Sequence, residues 1–185
     1  SDVFVRDTLA GTTTRISVDN AGNEVYGNSH SPSISGDGRY VAFNSDASNL
    51  VANDTNNTWD TFVHDRHTGV SSRVSVSSAG IEGNGGSTST PSISGDGRYI
   101  AFVTLATNLV TGGTTANRTN IYVHDRNTAI TTLVSVDNAG NEGNGGAAGS
   151  RSPAISSDGR YVAFASTSSN LVTGGTTIDR QHIFV

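Results

Sequence analysis

Cysteine, methionine and lysine are absent from the 185-residue chain, and all eleven cationic side chains are arginine. Without cysteine there is no disulfide framework and no thiolate metal site. Glutamate and glutamine are almost absent too, being confined to Glu24, Glu82, Glu142 and Gln181. Most strong helix formers are therefore missing, and a helical protein is excluded. No apolar run approaches the roughly 20 residues that span a bilayer as a helix, so membrane insertion is not expected. Charge is sparse and acidic, 11 Arg against 16 Asp and Glu for a net charge of −5. With no basic cluster to meet phosphates, nucleic acid is not an expected partner.

What remains is rich in Gly, Ser, Thr, Asn and Asp, with Val, Ile, Phe and Tyr as core candidates. That is the composition of short strands joined by many turns. The Phe and Tyr residues fall mostly at repeated positions, which argues for a packed core rather than a disordered chain.

The repeats are plain. Ser33 to Phe43, which contains Ser-Gly-Asp-Gly-Arg-Tyr-Val-Ala-Phe, returns as Ser92 to Phe102 and as Ala154 to Phe164. The segment Asp2-Val3-Phe4-Val5-Arg6-Asp7 recurs from Asp60 to Asp65 and from Asn120 to Asp125, and His182 to Val185 begins a fourth copy. Arg15-Ile16-Ser17-Val18 is matched at 73–76 and 133–136, and Asn49-Leu50-Val51 at 108–110 and 170–172.

Each unit of about 60 residues holds four strand candidates. Strand one follows a proline (Pro32, Pro91, Pro153). An Asp-Gly turn, a strong hairpin signal, leads into strand two, Arg-Tyr-Val/Ile-Ala-Phe. Strand two is apolar at consecutive positions, which suits burial on both faces. Strand three is the Phe-Val-His-Asp segment. Strand four is placed on Arg-Val-Ser-Val, whose alternation suits a half-exposed outer strand. Repeated four-stranded antiparallel units describe the blades of a β-propeller, with the small Ala42, Ala101 and Ala163 where neighbouring blades come close.

The motif Ser-x-Asp-Gly-Arg-Tyr-Val-Ala-Phe, then Asn-Leu-Val, then Asp-x-Phe-Val-x-Asp-x-x-Thr-Gly, resembles the TolB-like, WD-like propeller repeat of bacterial proteins. The resemblance covers essentially the whole chain. It implies a propeller fold, and a family that includes interaction scaffolds, envelope proteins and propeller domains attached to peptidases; it does not imply an activity.

The expected organisation is one propeller segment over 1–185. Residues 1–31 carry strands three and four of a blade and a linker, 32–90 one blade, 91–152 a second, and 153–185 a partial blade. That makes thirteen strands and three blade equivalents, below the four to eight blades of typical closed propellers. Three readings stay open: a segment of a longer array, an oligomer that completes a ring, or an open assembly. All three expect a protein partner at the edge strands of both termini.

Few residues suggest chemistry. Asp54, Asn56 and Asp60 place several oxygens on one loop, as calcium requires; the alternative is a polar turn that caps its own backbone. The equivalent loops, 113–120 and 174–182, lack the first carboxylate and each gains an arginine. Glu24, Glu82 and Glu142 recur with the repeat and would ring one face, suited to a cation or a basic partner. Trp59, the single tryptophan, is suited to anchoring a protein or stacking on a glycan. The Gly-rich segments 83–86 and 143–146 read as flexible connections between blades, because they lack the Lys and Ser/Thr of a phosphate loop. Asp7, Asp65 and Asp125 read as structural acceptors, for the turn that follows or for Arg39, Arg98 and Arg160. No Gly-x-Ser-x-Gly elbow or metal-spaced His pair is present. The expectation is a non-enzymatic scaffold, extracellular or in the cell envelope, without a cofactor unless calcium occupies the Asp54 loop; the alternatives are a propeller module accessory to an enzyme domain elsewhere in a longer chain and a calcium- or glycan-binding module.

Overall fold

A computed structural model of the chain describes residues 1–146, 149–177 and 180–185. It is all-β. A two-stranded sheet comes first, β1 (Phe4–Asp7) with β2 (Thr12–Arg15). Two complete four-stranded blades follow in simple meander order. The first holds β3 (Ser29–Ile34), β4 (Tyr40–Ser45), β5 (Asp60–Asp65) and β6 (Val70–Arg73). The second holds β7 (Ser92–Ile93), β8 (Tyr99–Thr104), β9 (Asn120–Asp125) and β10 (Ile130–Leu133). The terminal sheet has three strands, β11 (Ser150–Ile155), β12 (Val162–Ser166) and β13 (His182–Phe184). All pairings are antiparallel, and the propeller architecture is the one the repeat predicts.

Three apolar cores lie between successive sheets, and the alternation of strand two builds them. Val41 and Phe43 of β4 face back to Val3 and Ile16, while Ala42 faces forward to Ile100 and Phe102 of the second blade. In β8 the bulky pair Ile100 and Phe102 faces back, and Val103 faces forward to Phe164 and Leu171. Each blade thus presents large side chains to its predecessor, and each complete blade has an alanine at the centre of strand two. Strand two of each blade also stacks its phenylalanine on strand three: Phe43 on Phe62 at 6.0 Å, Phe102 on Tyr122 at 5.8 Å, Phe164 on Phe184 at 5.7 Å.

The Asp-Gly turns join neighbouring blades as well as strands. Gly36 N donates to Gly95 O, and Gly95 N to Ser157 O, both at 2.9 Å. Gly97 has φ of 71°, and a Cβ there would lie 2.1 Å from Cδ2 of Tyr40 in the preceding blade. Gly159 stands in the same relation to Tyr99. Turn conformation and interblade packing both require glycine at this position.

Two strand boundaries differ from the sequence reading. Strand one starts directly after the proline only in the second blade, where β7 follows Pro91; β3 and β11 contain Pro32 and Pro153, each at a register shift where Ser31 (φ 56°) or Ser152 (φ 52°) bulges out. The bulge removes the ladder position at which a missing N–H would cost a hydrogen bond. Strand four lies earlier than Arg-Val-Ser-Val. The tight turn closed by Gly69 N to Asp65 O lets Val70 pair with Asp65 at once. Past Arg73 the chain bends inward, so Val74 and Ser75 are buried between sheets rather than half-exposed.

Candidate functional site

The loop carrying Asp54, Asn56 and Asp60 is held at the mouth of the first blade by its flanking strands. Asp60 opens β5, and Arg73 ends β6 opposite Phe62, two residues along from Asp60. Glu82 arrives through the isolated bridge between Val76 and Glu82. The four side chains converge. Arg73 Nη1 lies 2.7 Å from Glu82 Oε2, 3.1 Å from Asp54 Oδ1 and 3.4 Å from Asp60 Oδ2. The arginine side chain is 9% exposed and Asp60 is fully buried. A guanidinium therefore stands among the carboxylates expected to hold calcium.

The remaining groups complete the cluster. Asn56 turns its amide nitrogen, not its oxygen, to Asp60 Oδ2 (2.8 Å) and to Gly83 O (2.9 Å), while its Oδ1 accepts from Thr58 N. Ser75 Oγ donates to Asp60 Oδ1 at 2.5 Å. Thr55 donates to Glu82 through both its hydroxyl and its N–H. Burial pushes the carboxyls of Asp54 and Asp60 above the usual carboxylate range. The Thr55 donors hold Glu82 below it. Arg73 Nε is buried without a hydrogen-bond partner among the described residues.

The same corner recurs in the N-terminal sheet and in the second blade with altered chemistry. Arg15 meets Glu24 at 3.2 Å and Asp2 at 3.9 Å. In the second blade Leu133 replaces the strand arginine, and Arg118, from the loop, approaches Glu142 at 3.9 Å and Gly143 O at 3.3 Å. Asn120 and Thr115 also donate to Glu142. Glu24, Glu82 and Glu142 thus each close the corner of their own sheet. The terminal loop 174–182 includes Ile178 and Asp179, which lie outside the described residues. The sequence signal for this corner is the pairing of two changes in the second unit: Leu133 stands where the other copies have Arg15 and Arg73, and the loop gains Arg118.

Trp59 is half-buried against His30 of its own blade, with ring centroids 4.3 Å apart. Asp65 and Asp125 do both things expected of them. Each accepts a bidentate pair from Arg39 or Arg98 (2.7–2.9 Å) and a turn N–H from His67 or Asn127. The arginine holds each carboxyl far below its ordinary range. His64 and His124 point the other way, bonded to Ser71 and Thr131. The Gly-rich segment 83–86 is closely packed rather than a free connection. A Cβ on Gly85 would lie 2.6 Å from the Leu105 carbonyl carbon, and one on Gly86 2.7 Å from Thr58 Oγ1. Asn84 pins the loop by exchanging bonds with Thr107 and Asn108. Glycine serves close approach here, not mobility.

No protein-family model matches the chain, and no curated protein matches it in sequence. Solved structures match it at the level of fold. TolB from Acinetobacter baumannii is similar with a TM-score of 0.54 and 16% identity, over 98% of this chain and 34% of that one. A prolyl endopeptidase is similar at 0.53 and 19%, over 89% and 22%, and the tricorn protease at 0.51 and 17%, over 89% and 13%. The chain is a β-propeller segment of TolB-like architecture, and it spans about a third or less of the length of these structures.

Proposed function

We propose that the chain is a non-catalytic propeller scaffold for protein–protein interaction, acting outside the cell or in the cell envelope. One observation carries this reading: the groups that could do chemistry are engaged internally, Asp65 with Arg39, His64 with Ser71, and Asp54, Asp60 and Glu82 with Arg73. Apolar side chains on the loops between sheets stand in solvent, Tyr26 at 86% and Ile81 at 59% exposed, and suit a protein partner. The compartment follows from a Ser-, Thr- and Asn-rich chain without cysteine and from the likeness to TolB-type propellers.

A second reading has one observation in its favour. The similarity to the prolyl endopeptidase and tricorn protease supports a propeller module that serves an enzyme domain elsewhere in a longer chain.

Turnover and binding assays on the native chain test the scaffold reading. Peptide and ester substrates should not be turned over, and Tyr26→Asp with Ile81→Asp should weaken association with the protein that co-purifies with the chain. Turnover of peptide or ester substrates by this chain alone, or association indifferent to both substitutions, would refute it.

A further inference from the structure

The outer strand of each complete blade is tied to the unit before it by a hydroxyl, and in both blades a buried histidine stands behind that hydroxyl. In the first blade Ser71 of β6 donates through Oγ to Val18 O and through its N–H to Asn20 Oδ1. In the second, Thr131 of β10 donates through Oγ1 to Val76 O and through its N–H to Ser78 Oγ. His64 Nδ1 lies 3.0 Å from Ser71 Oγ, and His124 Nδ1 lies 2.9 Å from Thr131 Oγ1. Both clasps lie inside the chain, one joining β6 to residues 18–20 and the other joining β10 to residues 76–78.

The hydroxyls fix the tautomer. A serine or threonine hydroxyl has a single proton to give. Here it goes to the carbonyl of the preceding unit, at 3.3 Å for Ser71 and 2.5 Å for Thr131. The hydroxyl oxygen must then accept from the imidazole, so Nδ1 carries the hydrogen in each ring. Nε2 is the position left for a second proton, an assignment that comes from the hydrogen-bond network.

A charge is poorly accommodated at either ring. His64 is 5% exposed and His124 6%. The residues opposite them in strand two, Val41 and Ile100, are apolar. On their own strands, Asp65 and Asp125 are turned away onto Arg39 and Arg98. Next in the turn come Arg66, donating to Gly38 O, and Arg126, lying over Tyr40. The turn packed against the first clasp carries Asp19, whose carboxylate is taken up by Ala21 and Asn23. Ser77 stands at that position by the second clasp and brings no charge. Among the described residues neither imidazole forms an ion pair. Burial holds both rings below the usual histidine range, outweighing the adjacent aspartate. An open, hydrated site therefore binds the proton more tightly than the closed one, and closure weakens as pH falls below the ordinary histidine value.

We infer that the two interblade clasps are acid-labile: they stay closed while His64 and His124 are neutral and open when the imidazoles take up a second proton. The outer strand of each complete blade then loosens from the unit before it. This device sits in the joints between blades and does not depend on the scaffold reading.

Amide hydrogen exchange, corrected for intrinsic rates, tests this between about pH 7.5 and 5, an interval bracketing the ordinary histidine value. The Ser71 and Thr131 amides should lose protection at least about tenfold, since one unit of proton linkage is a factor of ten. The Phe62 and Tyr122 amides at the strand centres should keep theirs. His64→Asn with His124→Asn places an amide N–H near the Nδ1 position and cannot titrate, so that chain should hold the Ser71 and Thr131 amides throughout. Nitrogen-edited NMR of the parent chain needs no variant: both rings should show Nδ1–H at neutrality and titrate below the ordinary histidine value. Protection of the two amides indifferent to acid, an equal acid loss in the doubly substituted chain, or rings that titrate at or above the ordinary value overturns the inference.

Discussion

Replacing Arg73 by leucine, the residue that stands at this position in the second blade, isolates the contribution of the corner cluster. The substitution removes the only cation within reach of Asp54, Asp60 and Glu82 among the described residues. Asp54 and Asp60 are 4% and 0% exposed, so water cannot take over the lost charge. Breaking a buried pair from one side typically costs about 3–5 kcal/mol, because the remaining charge stays buried. For a chain of this size that is roughly 6–20 °C in melting temperature, at about 2–4 °C per kcal/mol. The loss should depend on pH. Burial already raises the Asp54 and Asp60 carboxyls, and a carboxyl raised in the folded state favours folding as pH falls into the carboxylate range. Leucine should strengthen that trend, so the difference between parent and variant should be largest near neutrality and shrink on acidification. Calcium supplies the discriminating assay: at millimolar concentration it should leave the parent melting temperature unchanged and raise that of the leucine variant. A loss under about 1 kcal/mol, far below the buried-pair range, with no pH dependence would refute the cluster account.

Three further outcomes are expected. Phe102→Ala, which empties the centre of the second core, should cost about 3–5 kcal/mol by denaturant melts. Gly97→Ala should cost more than the roughly 1–2 kcal/mol of a left-handed backbone alone, because its methyl meets the Tyr40 ring; Tyr40→Ala in the same chain should return part of the loss. Asp65 and Asp125 are held below the usual carboxylate range, so their contribution is present above that range and lost as pH falls through it. An Asp65→Asn, Asp125→Asn chain should therefore be less stable at neutrality and show a flatter acid limb in melts between pH 2 and 6, an interval bracketing the usual carboxylate values of about 4.

Much of the architecture was legible because local and global signals coincide in the repeat. The Asp-Gly pair, the Tyr-Val/Ile-Ala-Phe run and the Phe-Val-His-Asp segment fix turn, central strand and its partner three times over. The boundaries were less legible where two forces compete. Arg-Val-Ser-Val alternates like an outer strand, yet the tight turn at Gly69 starts pairing earlier and sends Val74 into the interblade core. Pro32 and Pro153 look like strand starts, while a bulge at the preceding serine lets the strand run through them. The candidate site was legible as residues and not as partners. The loop carboxylates are visible in sequence, but Arg73 reaches them only because β6 lies beside β5. The Gly-rich segment 83–86 likewise reads as flexible until the approach of Leu105 and Ala106 is known.

A crystal structure of the chain tests the central claim most directly. The account predicts Arg73 among Asp54, Asp60 and Glu82 with no cation bound there, and the first blade joined to the second through Gly36 N and Gly95 O. A structure with Arg73 turned to solvent and a cation held by those carboxylates would contradict it.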